Sequence, residues 1–337
     1  MRPSKTGLGF FVFGAAVFCY LIYRFGVDQI VQNIQKAGWS LLYVFCVWFL
    51  IYIANALAWK LLLDSNGKNI SFVRLFMVTV SGFVINYITP VIALGGEPYK
   101  IDALTDSLGT QRSVSAVVLY RMVHLLGHMF LLLTGIVASL LVLEFPAAVR
   151  MVLLLAAVLI VAVIFFTLAG HRNGVFQKLG AVLQRIPLLR KATRSFNQYG
   201  EDLKEMDAVI TDVYHHARRK LYAAIVLEYV SRVLMGVEVF LILKGIGIET
   251  TVVSALFLYV SYSIVINLLF FIPLNLGARE GGLALGLGSL ALPPLLGVYM
   301  GVVMRVREFF WIALGLLFIL FTNRKKPTTV PQSANNR

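Results

Sequence analysis

Two short stretches decide the fold of this sequence: TPVIALGGEP at residues 89–98 and IPLNLGAREGG at residues 272–282. Each has a proline near its start, directly after an apolar run, and in each a glutamate stands seven residues after that proline, Glu97 in the first and Glu280 in the second. Helices usually end before a proline, and glycine permits the sharp turn that follows. Each stretch therefore predicts a helix that breaks and a chain that turns back.

The composition around these stretches is that of a membrane protein. Of the 337 residues, 59% are hydrophobic and only 14% are charged, and the mean hydropathy is +0.83. No soluble globular, disordered or fibrous protein carries so much apolar surface, so those classes are excluded. The net charge of +14, from 30 Lys and Arg against 16 Asp and Glu, indicates cytoplasmic loops and contacts with anionic lipid rather than nucleic-acid binding.

Eight apolar runs approach the roughly 20 residues that a helix needs to cross the hydrocarbon layer. They cover residues 8–23, 39–63, 72–89, 113–143, 148–169, 221–243, 252–272 and 295–321. We therefore predict an all-α polytopic membrane protein with about eight membrane segments, two of them re-entrant hairpins. A single integral membrane domain would cover residues 1–322 and include a basic amphipathic cytoplasmic segment at 170–220, and a disordered cytoplasmic tail would follow at 323–337.

The hairpins follow from the distribution of positive charge. If all eight runs crossed fully, either the segment 170–220, with ten Lys or Arg, or the basic residues 324–326 would lie outside, against the preference of such residues for the cytoplasm. The conflict disappears if residues 72–112 and 252–293 enter the membrane and return. Both termini are then cytoplasmic, and 21 basic residues, Lys100 among them, lie on cytoplasmic segments, with 4 outside and 5 within the membrane.

One hairpin would enter from inside and the other from outside, as in an inverted repeat. Each stretch is followed by an arginine within the next long apolar run, Arg121 at 31 residues past its proline and Arg305 at 32. In transporters built from inverted repeats, broken helices from the two halves meet near the middle of the membrane and form the binding site. The repeat therefore predicts a site where the two hairpins meet.

The candidate residues of that site combine flexible backbone with ionisable side chains at hydrocarbon depth. They are Gly95, Gly96, Glu97, Arg121, Gly277, Arg279, Glu280, Gly281, Arg305, Arg307 and Glu308. The glycines let backbone approach a ligand, and half-helix N-termini favour an anion such as a lipid phosphate, although small residues also serve tight helix packing. The arginine fork suits a phosphate, and the glutamates could bind a cationic headgroup, accept a coupling proton or pair with arginine.

Ion pairs are the structural alternative, because a charge at hydrocarbon depth costs roughly 2.5–3.5 kcal/mol and must be compensated. Arg279 could pair with Glu280 or with Glu308 and serve only the fold. Arg305 and Glu308, three residues apart, are expected to pair within one helix. Arg307 would then point to another face and be free for a ligand.

Two further groups lie on helical faces. Arg121, His124 and His128 have i, i+3 and i+7 spacing and could form a proton relay or a phosphate-facing stripe, or simply hydrogen-bond to neighbouring helices. Glu228 and Arg232 are four residues apart and are expected to form an intrahelical ion pair.

The two stretches, with the arginine-bearing last helix, resemble the transmembrane flippase-like region of the bacterial lysylphosphatidylglycerol synthetase family. The resemblance covers nearly the whole chain. In that family, full-length members carry a second, soluble domain that lysylates phosphatidylglycerol, while the membrane part moves the lipid across the bilayer. The chain ends where that domain would begin, so the resemblance implies lipid handling rather than lysyl transfer. Relatives near glycolipid and hopanoid pathways are also similar.

The sequence therefore favours a flippase-like transporter of a phosphate-bearing lipid in the bacterial cytoplasmic membrane. Its partner would be a membrane lipid, either an anionic phospholipid or a polyprenyl-linked lipid. No catalytic residue, metal site, cofactor or nucleic-acid partner is predicted, because no P-loop, catalytic triad or metal-ligand cluster stands in the sequence. Two alternatives remain open: an integral-membrane transferase that modifies a lipid headgroup, or a non-catalytic membrane partner of a separate lipid-modifying enzyme.

Overall fold

In the computed structural model, the described residues are 38–64, 70–88, 95–172, 216–270 and 272–322, together with four single positions before residue 38. Within those residues every regular element is helical, so the predicted all-α fold is confirmed. The α-helices there are α1 (Trp39–Asp64), α2 (Phe72–Ile88), α3 (Gly96–Leu108), α4 (Thr110–Val142), α5 (Ala147–Arg172), α6 (Arg218–Gly245), α7 (Val252–Leu268), α8 (Ala278–Ser289) and α9 (Leu296–Thr322).

Seven of the eight apolar runs coincide with a helix to within four residues at each end. The run 8–23, most of the segment 170–220 and the tail 323–337 lie outside the described residues. Helices α3 and α8 do not correspond to any apolar run, because their sequences, GEPYKIDALTDSL and AREGGLALGLGS, are too polar or too rich in glycine.

Helix length and apolar character separate the helices that can cross a membrane from those that cannot. Among the described residues, α1, α4 and α5 are both long enough and apolar enough to cross. Helices α6 and α9 have 28 and 27 residues but carry charged side chains. Helices α3 and α8 have 13 and 12 residues, or about 20 and 18 Å at 1.5 Å per residue, against a hydrocarbon layer of about 30 Å. Neither of these two helices crosses alone.

Helix α7 is shorter than the apolar run that contains it. It begins at a Thr251 cap, whose hydroxyl accepts from Ser254 N at 3.1 Å, and it ends at Leu268 after 17 residues. A 3₁₀ turn at Pro273–Asn275 follows, with Leu274 at φ 57°. The predicted break at the second proline is present. After it the chain turns back, and α8 packs against α7.

The buried apolar side chains form two large cores, one around each pair of short helices. The α2–α3 pair packs with the C-terminal parts of α1 and α9 and with the N-terminal parts of α4 and α6. The α7–α8 pair packs with the opposite parts of the same four helices and with α5. The α5 helix also presents exposed apolar residues such as Leu155, Val158 and Leu159, as lipid contact requires.

Four helices, α1, α4, α6 and α9, therefore contribute side chains to both cores. On three of them, charged or polar residues lie between the part that packs in one core and the part that packs in the other. On α4 the change falls at His124, on α6 between Glu228 and Arg232, and on α9 at Arg307 and Glu308. The charged residues of the bundle thus form a polar layer between the two apolar cores.

Candidate functional site

A cavity of about 420 Å³ lies in this polar layer. Its lining includes Trp48, Tyr52, Asn86, Arg121, Arg307 and Trp311. Residues beside both breaks also line it, Tyr87 near the end of α2 and Asn275 before α8. The volume falls within the range of small-ligand pockets, and the mixture of aromatic and polar side chains is typical of them.

The first break is organised by Asn86. Its Oδ1 accepts from Gly96 N at 2.7 Å, and its Nδ2 donates to Glu97 Oε1 at 3.1 Å. The amide therefore ties the end of α2 to the start of α3. A Cβ on Gly96 would collide with the carbonyl oxygen of Gly82 and stand 2.9 Å from Asn86 side-chain atoms, so the two helices approach each other closely only because residue 96 is glycine.

Arg121 reaches the same carboxylate from α4. Its Nη1 lies 3.5 Å from Glu97 Oε1, and 46% of the Arg121 side chain is exposed, against 16% for Glu97. The second oxygen of Glu97, Oε2, is buried and has no hydrogen-bond partner among the described residues. This end of the site therefore holds a half-exposed cation and a carboxylate oxygen with unused capacity.

The second break is organised by Glu280. Its Oε2 accepts from Gly277 N at 2.9 Å, which caps the start of α8, and its Oε1 accepts from Arg305 Nη2 at 2.6 Å and Nε at 3.1 Å. Arg305 also donates to the carbonyl of Leu274 at 3.3 Å. One glutamate and one arginine thus fix the broken backbone against α9, satisfying polar groups that lipid cannot satisfy.

Glu308 contacts both pairs of short helices. Arg279 Nη2 on α8 lies 2.7 Å from Glu308 Oε1 on α9, and the Tyr87 hydroxyl at the end of α2 donates to Glu308 Oε2. Both hairpins therefore meet at one carboxylate.

Arg307 binds α6 rather than a free ligand. It donates from Nε and Nη2 to Glu238 Oε1 at 3.0 and 2.9 Å, and its guanidinium lies 3.7 Å from the centre of the Trp48 ring. The prediction that Arg307 is free for a ligand is wrong. The predicted Arg305–Glu308 pair is also wrong, since helices α6 and α8 offer each arginine a closer carboxylate than its own helix does.

A further cluster of the polar layer lies on α4 and α6. Glu228 is fully buried and lies 2.8 Å from His124 Nδ1 and 3.8 Å from Arg232 Nη2, and Arg232 also contacts the His124 ring. The predicted Glu228–Arg232 pair is confirmed, although the histidine is the closer partner. His128 turns instead to α7, where Tyr259 lies 3.4 Å away. Both histidines therefore hydrogen-bond to neighbouring helices.

Every arginine in the layer has its own glutamate. The pairs are Arg121–Glu97, Arg232–Glu228, Arg279–Glu308, Arg305–Glu280 and Arg307–Glu238. Four of them join different helices, so the charges hold the bundle together while they compensate one another in the low-dielectric interior.

The model of one protein family, the lysylphosphatidylglycerol synthase TM region, matches residues 7–315. This chain belongs to that family. The match begins one residue before the first predicted membrane segment and continues through most of α9. It therefore includes both breaks and the whole polar layer. No curated protein and no solved structure matches the chain.

In this member of the lysylphosphatidylglycerol synthase family, the structure brings the predicted charged residues of the site into one layer. The predicted glycines behave differently from one another. Gly277 has φ +78° and needs to be glycine for its backbone conformation, whereas a Cβ on Gly281 would meet open space. Gly95 precedes α3 with φ −68°, a conformation that any residue adopts.

Sequence reasoning missed several residues of the layer. Glu238 on α6 could have been found, because an isolated carboxylate in an apolar run has to find a cation. Trp48, Tyr52 and Tyr87 carry no such signal, since aromatic residues are common at membrane interfaces and in packing. Their role depends on which helices lie side by side.

Proposed function

We propose that this protein is a flippase-like transporter that moves a phosphate-bearing lipid, either a phospholipid or a glycolipid, across the bacterial cytoplasmic membrane. Both termini face the cytoplasm. The α2–α3 and α7–α8 pairs are re-entrant hairpins of an inverted repeat, entering from opposite sides, and the short lengths of α3 and α8 support that arrangement.

The observation that carries this proposal is a cavity lined by both charged and aromatic side chains, which lies between two apolar cores in a bundle whose outer surface is also apolar. A volume of about 420 Å³ suits a headgroup and is too small for the two acyl chains as well. The headgroup would cross through the cavity while the acyl chains stay in the bilayer.

The donors in the cavity support a ligand rich in acceptor oxygens. Trp311 Nε1 and Arg232 Nε are buried, belong to residues that line the cavity, and have no hydrogen-bond partner among the described residues. A buried donor without an acceptor costs about 1–3 kcal/mol, so a rearrangement of these side chains that lets them donate to a lipid phosphate would be favourable. The half-exposed Arg121 gives the phosphate a cation at the edge of the cavity.

The test is a headgroup-accessibility assay in proteoliposomes. Purified protein is reconstituted with labelled anionic phospholipid, aminoacylated phospholipid or polyprenyl-phosphate lipid, and the fraction of label that a membrane-impermeant reagent destroys is followed over time. We expect one class to exchange between leaflets faster than in vesicles without protein. Exchange at the protein-free rate for all three classes, with folded protein, would contradict the proposal.

A further inference from the structure

Lys100 lies beside the polar layer, and among the described residues it takes part in none of the five ion pairs. It lies on α3, three residues after Glu97, and is only 2% exposed. The charge distribution predicts Lys100 on a cytoplasmic segment, but the side chain is buried in the bundle. Among the described residues, no carboxylate lies within 4 Å of its Nζ.

Three aromatic rings surround the ammonium in place of a carboxylate. Lys100 Nζ lies 4.6 Å from the centre of the Phe83 ring, 5.2 Å from that of Tyr120 and 5.7 Å from that of Trp59. Such distances are those of cation–π contacts, which favour the charged form of the amine. The three rings therefore hold the ammonium by cation–π contacts at a place where the described residues offer no carboxylate within ion-pair distance.

The aliphatic part of the side chain is held as firmly as the ammonium. A Cβ on Gly82 of α2 would stand 3.0 Å from Lys100 Cγ and 3.1 Å from Cδ, and closer still to Cε. The aliphatic part of Lys100 thus occupies space that is open because residue 82 is glycine. Lys100 is therefore packed along its whole length against α2 and buried in the bundle.

One ring separates this charge from the cavity. Phe83 lines the cavity, packs 5.2 Å from the His124 ring, and is also the ring nearest to Lys100 Nζ. With the histidines counted as neutral, the five arginine–glutamate pairs cancel and Lys100 leaves the layer with a formal charge of +1. An anion with one negative charge would make the occupied site neutral.

We propose that Lys100 sets the charge of the site and makes it selective for lipid headgroups with one net negative charge over zwitterionic headgroups. This inference rests on the proposed function, since it assigns the class of lipid that the cavity accepts. Lys100 acts at a distance, as a specificity-determining residue that does not touch the lipid. At an effective dielectric constant of about 20, one unit charge about 10 Å from another changes a binding constant roughly tenfold.

The test measures binding rather than transport. Dihexanoyl phosphatidylglycerol, which is anionic, and dihexanoyl phosphatidylcholine, which is zwitterionic, are titrated into purified protein in a neutral detergent, and tryptophan fluorescence reports the binding. In Lys100→Met we expect phosphatidylglycerol to bind about tenfold more weakly and phosphatidylcholine to bind within twofold of wild type. Lys100→Arg should keep the preference. Lys244→Met, which removes an exposed lysine 5.6 Å from the Phe240 ring, is the matched control and should behave as wild type.

A second variant separates net charge from local packing. Glu97→Gln adds one positive charge to the layer and should shift the preference toward phosphatidic acid, which carries more negative charge. The double variant Lys100→Met/Glu97→Gln returns the layer to +1 and should recover phosphatidylglycerol binding to within about threefold of wild type. If Lys100→Met does not fold, Glu97→Gln alone tests the charge rule.

Three results would overturn the inference: wild-type protein that binds the two lipids equally well, an equal loss for both lipids in Lys100→Met, or a double variant that binds phosphatidylglycerol no better than Lys100→Met does. These outcomes are distinct from failure of the proposed function. A protein that prefers phosphatidylglycerol through Lys100 and yet moves no lipid would be a lipid-binding protein, and the assignment of Lys100 would stand.

Discussion

Arg279 and Glu308 form an ion pair of 2.7 Å that ties the second hairpin to the last helix. The Arg279 side chain is 6% exposed and that of Glu308 10% exposed. The other oxygen of the same carboxylate accepts from Tyr87, which belongs to the first hairpin. One carboxylate therefore contacts both the α7–α8 pair, through Arg279, and the α2–α3 pair, through Tyr87, and the strength of these contacts can be measured.

Glu308→Gln should destabilise the protein by roughly 3–5 kcal/mol, because it leaves Arg279 as an uncompensated buried charge. Arg279→Gln should cost less, because Arg307 Nη1 still lies 3.6 Å from Glu308 Oε1. The double variant should be less destabilised than the sum of the two single variants. Chemical unfolding in detergent, analysed as a double-mutant cycle, gives the coupling free energy. Strict additivity would show that the two residues do not act as a pair in the folded protein.

Tyr87→Phe removes the hydroxyl that links the first hairpin to Glu308 and keeps the ring. A hydrogen bond to a charged group contributes more than a neutral one, so we expect a loss of about 1–2 kcal/mol in the free energy of unfolding. Tyr43→Phe, at an exposed position on α1, is the control and should change stability by less than about 0.5 kcal/mol. Equal effects of the two substitutions would contradict the role given to Tyr87.

Two glycines of the second stretch should respond in opposite directions to alanine. Gly277→Ala places a side chain at φ +78°, which costs about 1–3 kcal/mol. Gly281→Ala meets open space inside α8 and should stabilise the helix by roughly 0.5–1 kcal/mol. Thermal unfolding of the two variants, four residues apart, makes the comparison. A lower midpoint for Gly281→Ala than for Gly277→Ala would mean that the second break is built differently.

Glu280→Gln should abolish lipid movement or reduce it at least tenfold. The amide can still accept from Gly277 N, so α8 should form, but Arg305 loses its charged partner and α8 loses its fixed position on α9. Glu144→Gln, an exposed change in the loop after α4, is the control. Proteoliposome exchange rates, with circular dichroism to confirm folding, make the test. Full exchange in Glu280→Gln would count heavily against a transport role for the second break.

The sequence predicts the helices well because run length and hydropathy depend on each residue alone. The sequence does not predict side-chain contacts that depend on which helices lie side by side. Arg305 has Glu308 three residues away on its own helix, yet it binds Glu280, because α8 returns to α9 at that point. Spacing along one helix cannot reveal which neighbouring helix offers the closer carboxylate.

Lys100 is a second residue whose surroundings the sequence does not reveal. In the sequence it follows a polar turn and precedes Asp102 and Asp106, as a solvated lysine would. Only the packing of α3 against α2 and α4 shows that the side chain enters a ring of aromatic residues. The sequence identifies Arg121, Arg279 and Arg305 as charged residues of the site. It does not identify all of the glutamates with which they pair.

The most direct test of the central claim is photo-crosslinking with a phospholipid that carries its reactive group on the headgroup. The protein is labelled in proteoliposomes and the modified residues are identified by mass spectrometry, beside a second lipid with the reactive group on its acyl chain. A headgroup in the cavity predicts labels on Trp311, Tyr87 or Asn86 from the first probe and on exposed residues of α5, such as Leu159, from the second. Headgroup labels confined to the outer surface of the bundle, with none on the cavity lining, would contradict the claim.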